Sequence, residues 1–174
     1  MPVPTLETPR LILRGHRLSD FGFVAAMWGD PAVVRFIGEG KPLTREDAWN
    51  KFQRFPGHWN LMGYGSWAIT EKTDGALLGE AGFIARARLP DDPLCDVPEI
   101  GWALAPPAMG KGYATEAVKA ALSWGRDYFG PVRAVAVIQP DNAASLRVAR
   151  KCGFALCAQS QSGARPLLLL DRPL

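Results

Sequence analysis

An apolar stretch ending in Trp102, Ala103, Leu104 and Ala105 runs into two prolines, Pro106 and Pro107, and then into MGKGYATEA, residues 109–117. No other feature of the chain restricts its fold as much. Proline cannot donate a ladder hydrogen bond, so a strand beginning near Asp96 must stop there. Gly110 and Gly112 bracket Lys111, and a helix pattern follows at once. Strand, glycine turn, helix: this order gathers unpaired amides and the positive end of a helix dipole around one concavity that suits a diphosphate. Two phosphate motifs fail on the residues. A Walker-type loop would need glycine at Ala105 and Ser or Thr at Gly112, and a dinucleotide fingerprint would need glycine at Thr115. A glycine turn serving packing alone stays open at this point.

Composition narrows the class. The chain has 174 residues, 48% apolar and 21% charged, which predicts a single soluble domain over residues 1–174 with its own core. A net charge of +3 gives no argument for nucleic acid or a membrane surface. No aliphatic run, the leucines at 167–170 included, is long enough for a bilayer, and the N-terminus lacks a signal-peptide core. Cys95, Cys152 and Cys157 form no C-x-x-C, so neither a disulfide framework nor a metal site is expected, and a reducing cytoplasm fits.

Taken in order, residues 10–14 read as a first strand, with Leu11 and Leu13 on one face. Ser19-Asp20 signals a helix cap before Phe21, Val24, Ala25 and Trp28. Asp30-Pro31 opens a short helix through Val33, Val34 and Phe36. Thr44 caps a third helix carrying Ala48, Trp49, Phe52 and Phe55, predicted to end before Pro56-Gly57. Strands at 65–71 and 76–86 flank the hairpin signal Asp74-Gly75, and a polar loop spans 88–95. After the glycine turn, Ala114, Ala117, Val118, Ala121, Leu122 and Gly125 form one helical stripe. A strand at 133–138, a helix opened by Asp141-Asn142 and ended at Gly153, and strands at 154–158 and 167–170 complete one mixed α/β domain.

Met109-Gly110-Lys111-Gly112-Tyr113-Ala114 resembles the pyrophosphate turn of the GNAT acyl-CoA N-acyltransferase superfamily, Q/R-x-x-G-x-G/A, with Met109 in place of Gln or Arg. NAASLRVARKCGF, residues 142–154, resembles that family's second cofactor helix. TPRLILR and the hairpin with Gly79 and Gly82-Phe83 look like the RimJ/RimL-like branch, which acetylates ribosomal-protein N-termini. The likeness covers nearly the whole chain. It implies a mixed, mostly antiparallel α/β (α+β) sheet of about six to seven strands, splayed between the fourth and fifth, flanked by about four to five helices. Acetyl-CoA would lie in the splay as co-substrate. The acetyl group would pass directly to a primary amine, a protein N-terminus or a small molecule, through a ternary complex without metal. Rival expectations are a catalytically silent acyl-CoA-binding regulator and a nucleotide-binding module. A homodimer is an open expectation.

Residue roles follow from that resemblance. Main chain at Trp102, Ala103 and Leu104 would pair with the pantetheine, and Met109, Gly110, Lys111, Gly112, Tyr113, Ala114 and Thr115 would hold the pyrophosphate. Asn142 would hydrogen-bond the cofactor arm or cap its helix. Ser145 would protonate the departing thiolate or remain a hydroxyl of a capped helix; the tyrosine common in relatives is missing between Asn142 and Phe154. An amine must lose a proton before attack. Glu99 is the first candidate base, against a solvated strand-start carboxylate, with Glu80 and His58 behind it. Trp28, Phe36 and Trp67 would line the acceptor mouth, or sit in the core as aromatics at such spacing usually do.

Overall fold

The computed structural model describes residues 2–85, 97–162 and 165–174. The loop expected at 88–95 and Cys95 lie outside these. Alternating apolar residues build β2 (Leu11–Arg14), with Leu11 and Leu13 fully buried, and a two-residue strand, β1 (Leu6–Glu7), pairs along its outer edge. Helices α1 (Phe21–Trp28), α2 (Pro31–Val34) and α3 (Arg45–Met62) follow, then the hairpin β3 (Ser66–Glu71) and β4 (Leu77–Ile84). Asp74 supplies its turn by accepting the Ala76 N–H at 2.9 Å. Next come β5 (Glu99–Leu104), α4 (Tyr113–Phe129), β6 (Arg133–Ile138), α5 (Ala143–Lys151), β7 (Ala155–Ser162) and β8 (Arg165–Pro173).

The strands form one sheet in the order β1-β2-β3-β4-β5-β6-β8-β7. Among the described residues every pairing is antiparallel except β5 with β6, which is parallel and holds at one position, Glu99 opposite Val135. Beyond it the two strands diverge. This is the expected splay, moved one place up the strand count by the short β1. Among the described residues the sheet is mixed and mostly antiparallel, with five α-helices.

The two faces of the sheet differ. Leu11, Leu13, Ile69, Phe83, Ile100 and Leu104 pack under α4, whose small residues Ala117, Ala121 and Gly125 let it lie close. A Cβ added at Gly125 would sit 2.4 Å from the Phe83 ring. The opposite face carries a second cluster of Val24, Met27, Trp28, Val33, Val34, Phe52, Phe55 and Ala103 beneath α1–α3.

Local signals were partly overridden. Asp20 gives no side-chain cap to α1; its carboxylate instead accepts from the Arg14 guanidinium at 2.7 and 3.0 Å and from the Arg17 N–H at 2.7 Å. The third helix does not stop at Pro56. It continues to Met62, capped by Thr44 at its start and by Gly63 at its end. Interior proline costs a helix about 3 kcal/mol. The apolar stripe of Phe52 and Phe55 continues to Trp59, and burying an indole contributes roughly 4 kcal/mol or more, which outweighs that cost. The last hairpin is longer than expected, because polar residues 159–162 pair with residues 165–168.

His16 leans on this second cluster, its ring stacked on Phe55 with centroids 3.9 Å apart and edge-on to Phe52 at 6.0 Å. Burial lowers its pKa to about 4, against the opposing pull of Asp20 and with help from Arg14 and Lys51. Between pH 6.5 and 4 the unfolded chain therefore binds a proton that the folded chain refuses. Stability contributed by neutral His16 is present above pH 6.5 and lost as the pH falls through that window, by at most roughly 3 kcal/mol. Urea midpoints measured across this range should fall with pH, and His16→Phe should flatten that part of the curve; an unchanged slope would assign it to other groups.

Candidate active site

The site grows from the divergence of β5 and β6. Ala105 N–H donates to Leu78 O at 2.9 Å, which sets the phase of the β4–β5 ladder. In that phase the main chain of Ala103 points at Glu80 in β4, while Trp102 and Leu104 point their N–H and C=O groups toward β6. The Val135 N–H donating to Pro98 O at 2.9 Å confirms the same phase at the closed end. Past that point β6 has turned away, so the edge at Trp102 and Leu104 is open for an extended guest. Of the three strand residues proposed for pantetheine, two face the gap with main chain, and Ala103 offers its buried side chain to the second cluster.

At the open end, both parallel strands finish and both following helices begin. The prolines form a short 3-10 turn, and Gly110 and Gly112 take left-handed φ of +77° and +85° before α4 starts at Tyr113. A side chain at either glycine would be strained. The first bond into the helix runs from the Glu116 N–H to Gly112 O at 3.1 Å, leaving the amides of Tyr113, Ala114 and Thr115 as the helix's orphan donors. Met109, Lys111 and both glycines are exposed. Tyr113 is different: its ring is buried, and its hydroxyl donates a short bond to Glu71. That bond, with burial, pushes the phenol's pKa up.

A latch that sequence reading missed holds this turn. Glu116, in the first turn of α4, accepts from the Thr8 hydroxyl at 2.6 Å, the Arg10 N–H at 2.9 Å and the Arg10 Nε at 2.7 Å. Burial alone would raise its pKa, but these bonds hold the carboxyl below its usual range. Arg10 Nη1 also donates to Lys111 O at 3.0 Å, and its guanidinium lies 4.6 Å over the Tyr113 ring. In a trans peptide the carbonyl and the next N–H point opposite ways. Tying down the Lys111 carbonyl therefore turns the Gly112 N–H away from Arg10. The residues stand in TPRLILR, read from the sequence as a first strand and as a branch resemblance, with no role at the glycine turn.

Across the mouth, Asn142 caps α5, accepting the Ser145 N–H at 3.1 Å. Its Oδ1 thus serves the helix, and its amide nitrogen remains to donate to a guest. Ser145 sits half-buried one turn into the same helix.

On the α1–α3 face, Glu80, Gly82 and Ile84 stand opposite Ala103, Gly101 and Glu99. Two buried carboxylates, Glu80 and Glu99, therefore share one face with glycines between them. Trp28 donates its indole N–H to Glu80 at 3.3 Å, and Lys51 Nζ lies 3.6 Å from the other oxygen. Phe36 is half-buried just beyond α2. Trp67 is withdrawn from the acceptor mouth: it is fully buried in the α4-face core beside Trp59 and Trp124, its N–H donated to Pro4 O at 2.8 Å. His58 is likewise occupied. Its Nε2 accepts the Ala85 N–H at 2.8 Å, so its Nδ1 donates to Tyr64 O at 2.6 Å.

Comparison with known proteins agrees with this geometry. The N-acetyltransferase YoaA of Bacillus subtilis (strain 168), itself uncharacterized, is 31% identical over 151 residues, spanning 87% of this chain and 82% of that protein. A GNAT-family acetyltransferase structure from Bordetella pertussis superposes with a TM-score of 0.83 at 31% identity, covering 97% of this chain and 99% of that one. RimL, a ribosomal L7/L12 alpha-N-protein acetyltransferase solved with coenzyme A, shares the fold at a TM-score of 0.80 and 18% identity, with 98% of each chain covered. The sequence pattern of the acetyltransferase (GNAT) domain matches residues 10–155, and the chain belongs to that family.

Proposed function

We propose that residues 1–174 form one N-acetyltransferase domain that moves an acetyl group from acetyl-CoA directly to a primary amine. The observation that carries this reading is the strand edge at Trp102 and Leu104, open where β6 departs and continuous with the glycine turn at Gly110 and Gly112. Pantetheine amides pair with that edge as an added strand would. The pyrophosphate sits on the amides from Gly110 to Thr115, at the positive end of α4. Met109 has no hydrogen-bonding group to add, so the main chain carries the anion, with Lys111 beside it. A main-chain N–H of β5 then meets the thioester carbonyl; one such donor is worth roughly 3–4 kcal/mol to a tetrahedral intermediate.

The acceptor enters over the α1–α3 face, past Trp28 and Phe36. Glu99, buried at the closed end of the splay on that face, takes the proton from the amine. Ser145, across the mouth on α5, returns a proton to the thiolate. Acceptors range from protein N-termini to small amines, and the pairing-free thiols Cys152 and Cys157 fit a reducing cytoplasm.

Calorimetry with acetyl-CoA, followed by thiol release against peptides, polyamines and aminoglycosides, tests the assignment. Binding with release is expected; binding without release from any amine would indicate a silent acyl-CoA sensor, and no binding would sink the reading. Glu116→Ala should raise the acetyl-CoA Kd about tenfold, near 1.4 kcal/mol, because Thr8 and Arg10 lose their shared partner. An unchanged Kd would show that the latch does not orient the turn. Glu99→Gln should cut turnover by roughly a hundredfold or more, and Ser145→Ala should lower turnover while leaving the Kd alone. Full rates across pH in either variant would remove that residue from the chemistry.

A further inference from the structure

One ammonium group is already seated on the acceptor face. Lys51, on α3, reaches down so that Nζ lies 3.9 Å from the centroid of the Trp28 ring, 5.3 Å from that of Phe55 and 3.6 Å from Glu80 Oε1. Two ring faces and a buried carboxylate are what a protein uses to hold a compact cation. The hold is loose. A separation of 3.6 Å exceeds a normal hydrogen bond, no hydrogen bond from Nζ is present among the described residues, and the Lys51 side chain is 28% exposed.

Position makes this lysine chemically interesting. Glu80 stands directly across the ladder from Ala103, and Ala103 lies between Trp102 and Leu104, the residues whose main chain faces the splay. One strand spacing, about 5 Å, separates the Glu80 backbone from that of β5. The carboxylate beside Lys51 is therefore a neighbour of the strand on which, in the reading above, the thioester is laid. A four-carbon side chain held by two ring faces and one long ion pair, with no hydrogen bond from Nζ among the described residues, can swing across such a gap.

We infer that Lys51 is an acceptor of this protein's own acetyl transfer, a self-modification site in the mouth of the active site. The inference rests on the acetyl-CoA reading given above. Glu80 removes one proton from the Lys51 ammonium. The neutral nitrogen attacks the acetyl carbon, the carbon–sulfur bond breaks, and the second nitrogen proton passes to the departing thiolate. Products are the Nε-acetyl amide of Lys51, free coenzyme A thiol and one proton released to water through Glu80. The cation over Trp28 and Phe55 is then replaced by a neutral amide, and Glu80 keeps only its bond from the Trp28 indole.

The test uses the full chain alone with isotopically labelled acetyl-CoA and no added amine, read by peptide mass spectrometry. Lys41, 79% exposed and paired only with Glu39 at the surface, serves as the internal standard for purely chemical acetylation. Label should accumulate on Lys51 at least about tenfold faster than on Lys41, with a first-order rate independent of protein concentration. Lys51→Arg should lose that label and Glu80→Gln should slow it roughly a hundredfold. Lys51 labelled no faster than Lys41, while the same preparation binds acetyl-CoA and turns over amines, would overturn this inference alone. Absence of acetyl-CoA binding by calorimetry would overturn it together with the reading beneath it. The wild-type measurement is decisive by itself, so a variant that fails to fold does not weaken the test.

Discussion

The parting of β5 and β6 beyond the ladder contact between Glu99 and Val135 is the constraint from which the rest of this molecule follows. Parallel neighbours usually run together, because each N–H and C=O along the shared edge then finds a partner. Here β5 and β6 part after one position, and the edge groups at Trp102 and Leu104 are left facing a gap. Both strands are followed by helices that begin at the same open end. The gap is therefore bordered by strand amides along its length and by two helix N-termini at its mouth. An extended guest with amides along its chain and an anion at its end meets complementary groups throughout.

The faces of the sheet divide the labour. Under α4 the packing is close, down to a glycine pressed against Phe83, and this holds β5, the strand proposed to carry the donor, in place. Beneath α1–α3 an apolar cluster is accompanied by Glu80, Glu99, His16 and Lys51. Burying such groups is unfavourable unless they are partnered. Glu80 has its indole and its ammonium, Asp20 has Arg14, and His16 stays neutral between two phenyl rings. Ionisable groups gathered beneath one set of helices are what amine chemistry confined to one side of the sheet requires.

Much of this was legible in the residues, and for identifiable reasons. The paired prolines after β5, the paired glycines and the alternation in β2 and β5 are local signals that no tertiary contact reverses here. Thr44 capped its helix and Asp74 its turn for the same reason. Reading failed where a distant partner won. Pro56 yields because Trp59, one turn on, has a place in the core; Asp20 abandons its cap because Arg14 lies across from it. The sequence leaves Trp67 between the acceptor mouth and the core, because Trp59 and Trp124, the rings it packs against, are identified only by the fold. His58 looked free because its partners, Tyr64 O and Ala85 N–H, are backbone groups that carry no sequence signature.

The latch shows the same limit from the other side. Thr8 and Arg10 are more than 100 positions from Glu116, yet their four hydrogen bonds to its carboxylate and to the Lys111 carbonyl decide which way the glycine turn presents its amides. Glycine is needed there because only it adopts those angles without strain, but the same freedom makes an isolated glycine turn indefinite. Freedom at Gly110 and Gly112 and restraint by Arg10 are thus two halves of one device. The glycines make the turn possible and the first strand makes it single-valued, so that in the proposed role its ordering need not be done at the moment a diphosphate arrives.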